Sequence, residues 1–307
     1  MAEFSKEIYY GFILRGDLRG LLGYLRQFPE QTELCERFAA VFERAQYVDY
    51  PISGALNGIL RQYQRYFRDV FYLGFDRAQA AEQLRRGLTG LLGMTTDIPL
   101  DDLEQQHIPP AFERGGLHFL GGRTSGYYGP YVWRTTTPAS YAVELPEGVQ
   151  RYTVNLLDGF LLCSHLDYLS FGEITPGGWT DGDGVIHCVK ASYDLGSEAF
   201  QVSLLKHEAQ HAMDLARNST LSSAVLEYRA KLVELIYSHE RRLLPEFAQQ
   251  ADASDPANGH SLAADKIIRS FTEKSGKTPD ALVSMPLPQV REIALSLFED
   301  SAALLTG

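Results

Sequence analysis

Cysteine is scarce in this chain. Its 307 residues include three, Cys35, Cys163 and Cys188, an odd number with no CxxC pair. That argues against a disulfide scaffold and for a reducing compartment. Long apolar runs are missing too: no stretch reaches the roughly 18 apolar residues that a spanning helix needs. The opening MAEFSKEIYYGFILRGDLRG has no basic segment leading into an apolar one, and Arg15 and Asp17 interrupt every candidate. Positive charge is in deficit, with 28 Lys+Arg against 39 Asp+Glu and a formal net charge of -11. A balance of that sign argues against nucleic-acid backbones and anionic membrane surfaces as partners. Together these absences predict a cytoplasmic protein.

What is present is ordinary globular material, 45% hydrophobic and 22% charged, which excludes disordered, collagen-like and coiled-coil classes. The length suits one large domain or two smaller ones.

Three textures follow one another, and together they predict an α+β fold. Residues 1–98 are expected to form a helical N-terminal region. Leu18, Leu21, Leu22, Leu25 and Phe28 recur at helical spacing, as do Leu60, Tyr63, Phe67, Val70 and Phe71, and a further helix runs from Ala78 to Leu92. Residues 99 to about 196 alternate Gly- and Pro-rich turns with β-branched and aromatic runs, which predicts an antiparallel-rich, meander-like sheet. Within it, GGRTSGYYG at 121–129 reads as a hairpin with exposed tyrosines. Residues 158–172 fit a helix or a strand equally. Asp181-Gly-Asp-Gly184 has too few oxygen ligands for a calcium loop. From Ser197 the helical period returns, with helices expected near 198–217, 222–241, 260–274 and 288–304. The expected division is 1–98 and 99–307, with the two parts free to share one core.

Chemistry concentrates in His207-Glu208-Ala-Gln-His211, an HExxH sequence. Residues four apart sit on one face of a helix, so both imidazoles can reach one tetrahedral cation such as Zn²⁺. Glu208 then stands beside the ion, where a carboxylate can take a proton from water. Leu204, Leu205, Ala209, Ala212, Met213 and Ala216 predict a buried helix, in which histidines need partners. The competing reading is a pair of core histidines satisfied by hydrogen bonds.

This segment resembles the gluzincin branch of the zincin metallopeptidases, specifically over about residues 185–231. The resemblance implies a zinc peptidase whose third ligand is a glutamate on the next helix, often in an ExxA stretch. Here Glu227-Tyr228-Arg229-Ala230 supplies it, sixteen residues after His211. Glu234, two turns on, is the rival ligand. The metzincin pattern is absent, because Arg217 stands where its third histidine would be. The thermolysin-like branch carries an aspartate four residues beyond the glutamate ligand; Lys231 occupies that position, so the group that orients a ligand histidine must come from elsewhere. Asp214 is a candidate for it, or else a surface charge.

The resemblance further implies an edge strand before the motif that pairs with an extended peptide, for which Gly184–Tyr193 is the match, or else an interior strand. It also implies a His or Tyr donor for the oxyanion, with His260 the first candidate and Tyr228, Tyr237 and His239 the others. The expected function is hydrolysis of a peptide or protein substrate, with Glu208 as general base and His207, His211 and Glu227 on the metal. The alternatives are a catalytically inactive metal-binding scaffold and a hydrolase of non-peptide amides.

Overall fold

Polar caps start the first long helices where the apolar spacing predicts them. Ser5, Asp17, Ser53 and Asp76 each accept a hydrogen bond from a free N–H in the first turn of Lys6–Arg15, Leu18–Leu25, Gly54–Phe71 and Arg77–Leu91. The computed structural model describes residues 3–94, 97–180, 185–254 and 258–305. The architecture is α+β, with helices toward both ends and strands between them. Asp181–Gly184 lies outside the described residues. Among those described, no helix is long and apolar enough to cross a membrane. All three cysteines are free thiols.

The chain divides into two compact units, Met1–Thr136 with Leu157–Pro176, and Thr137–Leu156 with Gly177–Gly307. The expected boundary near residue 98 therefore falls within the first of them. In that unit the helices bury Leu18, Leu22, Phe38, Phe42, Leu60 and Phe67 in one core. The strand region does not form the single meander expected. His118–Leu120, Tyr131–Trp133 and Leu162–Cys163 make one antiparallel sheet, and Arg123–Thr124 with Tyr127–Tyr128 make a separate hairpin. Strands of two or three residues between Gly-rich turns are too short to continue one ladder. The hairpin turns at Ser125 and Gly126, both at positive φ, as a right-twisted hairpin favours. Its tyrosines are not exposed as expected: Tyr128 is buried and Tyr127 half-buried. Residues 158–172 contain both structures that the sequence allowed, strand Leu162–Cys163 and helix Ser164–Leu169.

In the second unit a four-stranded sheet runs in the order Thr135–Leu145, Gly148–Asp158, Ile186–Val189, Gly178–Thr180. Ile186–Val189 is therefore interior, and Gly178–Thr180 pairs antiparallel along one side of it. Its backbone is committed to neighbours on both sides, which leaves no free edge there for a peptide. Val143, Leu145, Val154 and Ile186 join one core with Phe200, Leu204 and Ala209 of the motif segment. Helices Ser223–Tyr237, Gly259–Ser275 and Leu287–Asp300 complete it. Helix Leu243–Gln250 was not expected. Pro245 lies in its first turn, where a missing N–H has no helical partner to lose.

One acid in the first unit makes its stability depend on pH. Glu104 is buried and accepts hydrogen bonds from Tyr63 Oη at 2.7 Å and the Gly122 N–H at 2.8 Å. Burial raises its pKa to about 7, outweighing those two bonds, which act to lower it. The folded chain then holds this proton more tightly than the unfolded chain between about pH 4.5 and 7, so stability falls as pH rises through that window. Urea unfolding at pH 5 and pH 7.5 should show a loss of up to about 3 kcal/mol, and Glu104→Gln should flatten the slope.

Candidate metal centre

The HExxH segment is helical, as its spacing predicts, but it enters the helix through a wider turn. Ser197 caps a single turn, Glu198–Phe200, and Gln201–Lys206 then form a π-helical turn that runs directly into the α-helix His207–Arg217. Such π-turns recur at functional sites. Phe200, Leu204, Leu205 and Ala209 take the core side. His207 and His211, one turn apart, bring their rings to 4.5 Å between centroids. His207, Glu208 and His211 each offer a ligand atom within 4.8 Å of the others, a group able to hold a metal ion.

The next helix, Ser223–Tyr237, faces this pair with Glu227. Its Oε2 stands 3.4 Å from His207 Nε2, and its Oε1 stands 3.8 Å from His211 Nε2. Ligand atoms around a tetrahedral ion with 2.0–2.1 Å bonds sit about 3.3 Å apart, so Glu227, though outside that group of three, stands at close to ligand separation from each histidine, through a different oxygen for each. One buried atom here, His211 Nε2, has no hydrogen-bond partner. Buried polar atoms are rarely left so.

Glu234, the rival ligand, is spoken for in another way. Its Oε1 lies 2.7 Å from His207 Nδ1. That contact holds the imidazole in place and leaves Nε2 turned toward Glu227, the role that a supporting carboxylate plays behind a ligand histidine. Glu208 instead approaches the other nitrogen of His211, with Oε2 3.7 Å from Nδ1. It is less buried than Glu227, so water can reach it. Burial would push the His207 imidazole down, but the carboxylates on its two nitrogens outweigh this and lift its pKa to about 10. Burial likewise works to raise Glu227, and the His207 and His260 rings hold its carboxyl far below the usual range.

Of the four oxyanion candidates, His260 is the one in contact with this group: its Nδ1 lies 2.7 Å from Glu227 Oε2, and 65% of its side chain is open to solvent. Asn258 caps the helix that carries it. Gly259 lets that helix start close against Ser223, because a Cβ there would collide with Ser223 Oγ. Tyr228 is buried under the Lys266 ammonium. Tyr237 carries the Lys206 ammonium over its ring at 3.8 Å. His239 hydrogen-bonds Glu198.

Asp214 is neither a surface charge nor a partner for histidine. It is completely buried and receives Arg229 Nε at 2.8 Å and Gln210 Nε2 at 2.9 Å. Arg229, whose side chain is 0% exposed, also donates to Ser301 Oγ at 2.5 Å and Glu147 Oε2 at 2.8 Å, and it lies over the Phe298 ring. The guanidinium thus fixes the motif helix against its neighbour, the Glu147 turn and the Ser301 segment. Sequence reading passed over it as a spacer inside ExxA. The fork of five donors on one rigid plane is what lets a single residue serve three acceptors. Lys231 is buried as well, donating to Gln250 Oε1 at 3.1 Å above the Phe247 ring.

Arg229→Met should destabilise the second unit by about 3–5 kcal/mol, because Asp214 is left buried without its cation. Adding Asp214→Leu should recover much of that loss, since Glu147 keeps Arg217 at 2.8 Å; urea unfolding of the two variants measures the difference. No family model, curated protein or solved structure matches the chain.

Proposed function

We propose that this protein is a zinc-dependent peptidase, with His207, His211 and Glu227 as the metal ligands and Glu208 as the general base. The observation that carries this reading is the orphaned His211 Nε2, 3.8 Å from Glu227 Oε1 on the facing helix. A cation between them would satisfy both buried groups at once. The donor set of two imidazoles and one carboxylate suits zinc with one position left open. Glu227 is favoured over Glu208 as third ligand because its two oxygens face both Nε2 atoms, whereas Glu208 approaches Nδ1 of His211.

A divalent ion held by His207, His211 and Glu227 would supply Lewis acidity toward water and a carbonyl oxygen near neutral pH. Glu208 accepts a proton from the attacking water and returns it to the leaving amine. Its side chain is 21% exposed, which gives the solvent access that this exchange needs. Glu234 keeps His207 in one tautomer and orientation throughout. His260, exposed at its helix start and anchored on Glu227, is the group that donates to the developing oxyanion.

Metal analysis and a peptide-pool assay with and without chelator test the assignment. Glu208→Gln should keep zinc near one equivalent and lose hydrolysis by about 10²-fold or more. His207→Ala and Glu227→Ala should lose both metal and activity. Glu234→Gln should weaken zinc affinity about 10–100-fold while leaving a functional site at saturating zinc. A protein with stoichiometric zinc that cleaves nothing in the pool would be a scaffold rather than an enzyme. If it releases amine from small acylated amides but not from peptides, the substrate class is wrong and the centre stands.

A further inference from the structure

The first unit holds a cleft of about 480 Å³ between helix Arg77–Leu91 and the hairpin Arg123–Tyr128. That volume is within the range of about 300–1,000 Å³ usual for small-molecule sites. Its lining brings together three guanidinium groups, Arg77, Arg85 and Arg123, and one acid, Glu82, in a chain whose net charge is -11. The deeper surface is apolar, formed by Ala81 and Leu100 with the ring of Tyr66. We propose that this cleft binds a small organic anion, a phosphate or carboxylate headgroup on a compact apolar body.

The three cations are not equivalent. Arg85 is neutralised by Glu82 at 2.7 Å and Asp97 at 2.5 Å. Arg123 is held by Asp101 at 3.2 Å and lies over the Tyr128 ring. Arg77 has no carboxylate within ion-pair distance among the described residues. Its guanidinium rests 4.0 Å from the Tyr127 ring centroid and donates to that phenol's oxygen at 2.5 Å. A neutral ring therefore sets the orientation of a full positive charge whose other N–H groups stay free. Orienting the fork in advance removes an entropic cost of binding an oxyanion, and its planar donors match phosphate and carboxylate oxygens in pairs. The exposed Asp97 and Asp101 stand beside the cleft. They repel extended anionic surfaces such as nucleic acid or a lipid headgroup layer, while a single small anion can enter past them.

The test is calorimetric titration of the whole chain, with chelator present so that the metal centre takes no part. The probes are phenyl phosphate, benzoate and inorganic phosphate. At least one of the two aromatic probes should bind saturably, more tightly than inorganic phosphate and more weakly as salt is raised; the tighter of them identifies the headgroup. Arg77→Ala should weaken it about tenfold or more. Ala78→Trp, at an exposed lining position, should block the cleft without removing a charge. Arg61→Ala, which removes a cation paired with Asp49 outside the cleft, should change nothing. No saturable binding by either aromatic probe would overturn the proposal. So would binding that survives both Arg77→Ala and Ala78→Trp.

Discussion

Helix Ser223–Tyr237 is buried along nine consecutive residues, and four of those nine, Glu227, Arg229, Lys231 and Glu234, carry acidic or basic side chains. Taking charge out of water is far more costly than burying a leucine. Each of the four must therefore be met by a partner brought in from another element. Glu234 meets His207, Arg229 meets Asp214, Glu147 and Ser301, and Lys231 meets Gln250 and the Phe247 ring. Glu227 meets His207, His211 and His260. The motif helix is held in place by two of these sets at once, at His207 and at Asp214. The second unit is organised around satisfying one helix.

Within that arrangement the candidate centre is the part left incomplete. Arg229 and its acceptors form a closed set, whereas the histidine–Glu227 group retains one buried nitrogen, His211 Nε2, without a hydrogen bond. The two sets are also built differently. A guanidinium fork fills three acceptor sites with its own donors. Two imidazoles, once His207 gives up its proton, and a carboxylate around a shared point would contribute lone pairs that converge, and converging lone pairs suit a cation.

The sequence disclosed the parts of this that depend on local period. HExxH places its two histidines one turn apart whatever surrounds them, and Glu227 sits one turn into a helix whose start Ser222 caps. The α+β class followed from the change of period between thirds. Pairings across long separations were not legible. The shorter connection from His211 favoured Glu227 over Glu234, but helical period could not separate them, because both lie on one face; the difference in the structure is which nitrogen of His207 each acid meets. Asp214 gave no sign of its guanidinium partner on another helix. The interior position of Ile186–Val189 depends on Gly178–Thr180 folding back along it, a strand whose Gly-rich surroundings carry little pattern.

Arg229 also has a consequence for how the chain is made. Its acceptors at Glu147 and Ser301 lie 82 residues before it and 72 after it. A ribosome releases these three points at widely separated moments, and closing loops of that length is entropically slow. The nascent motif helix cannot be clamped in its final register until the segment around Ser301 has left the exit tunnel.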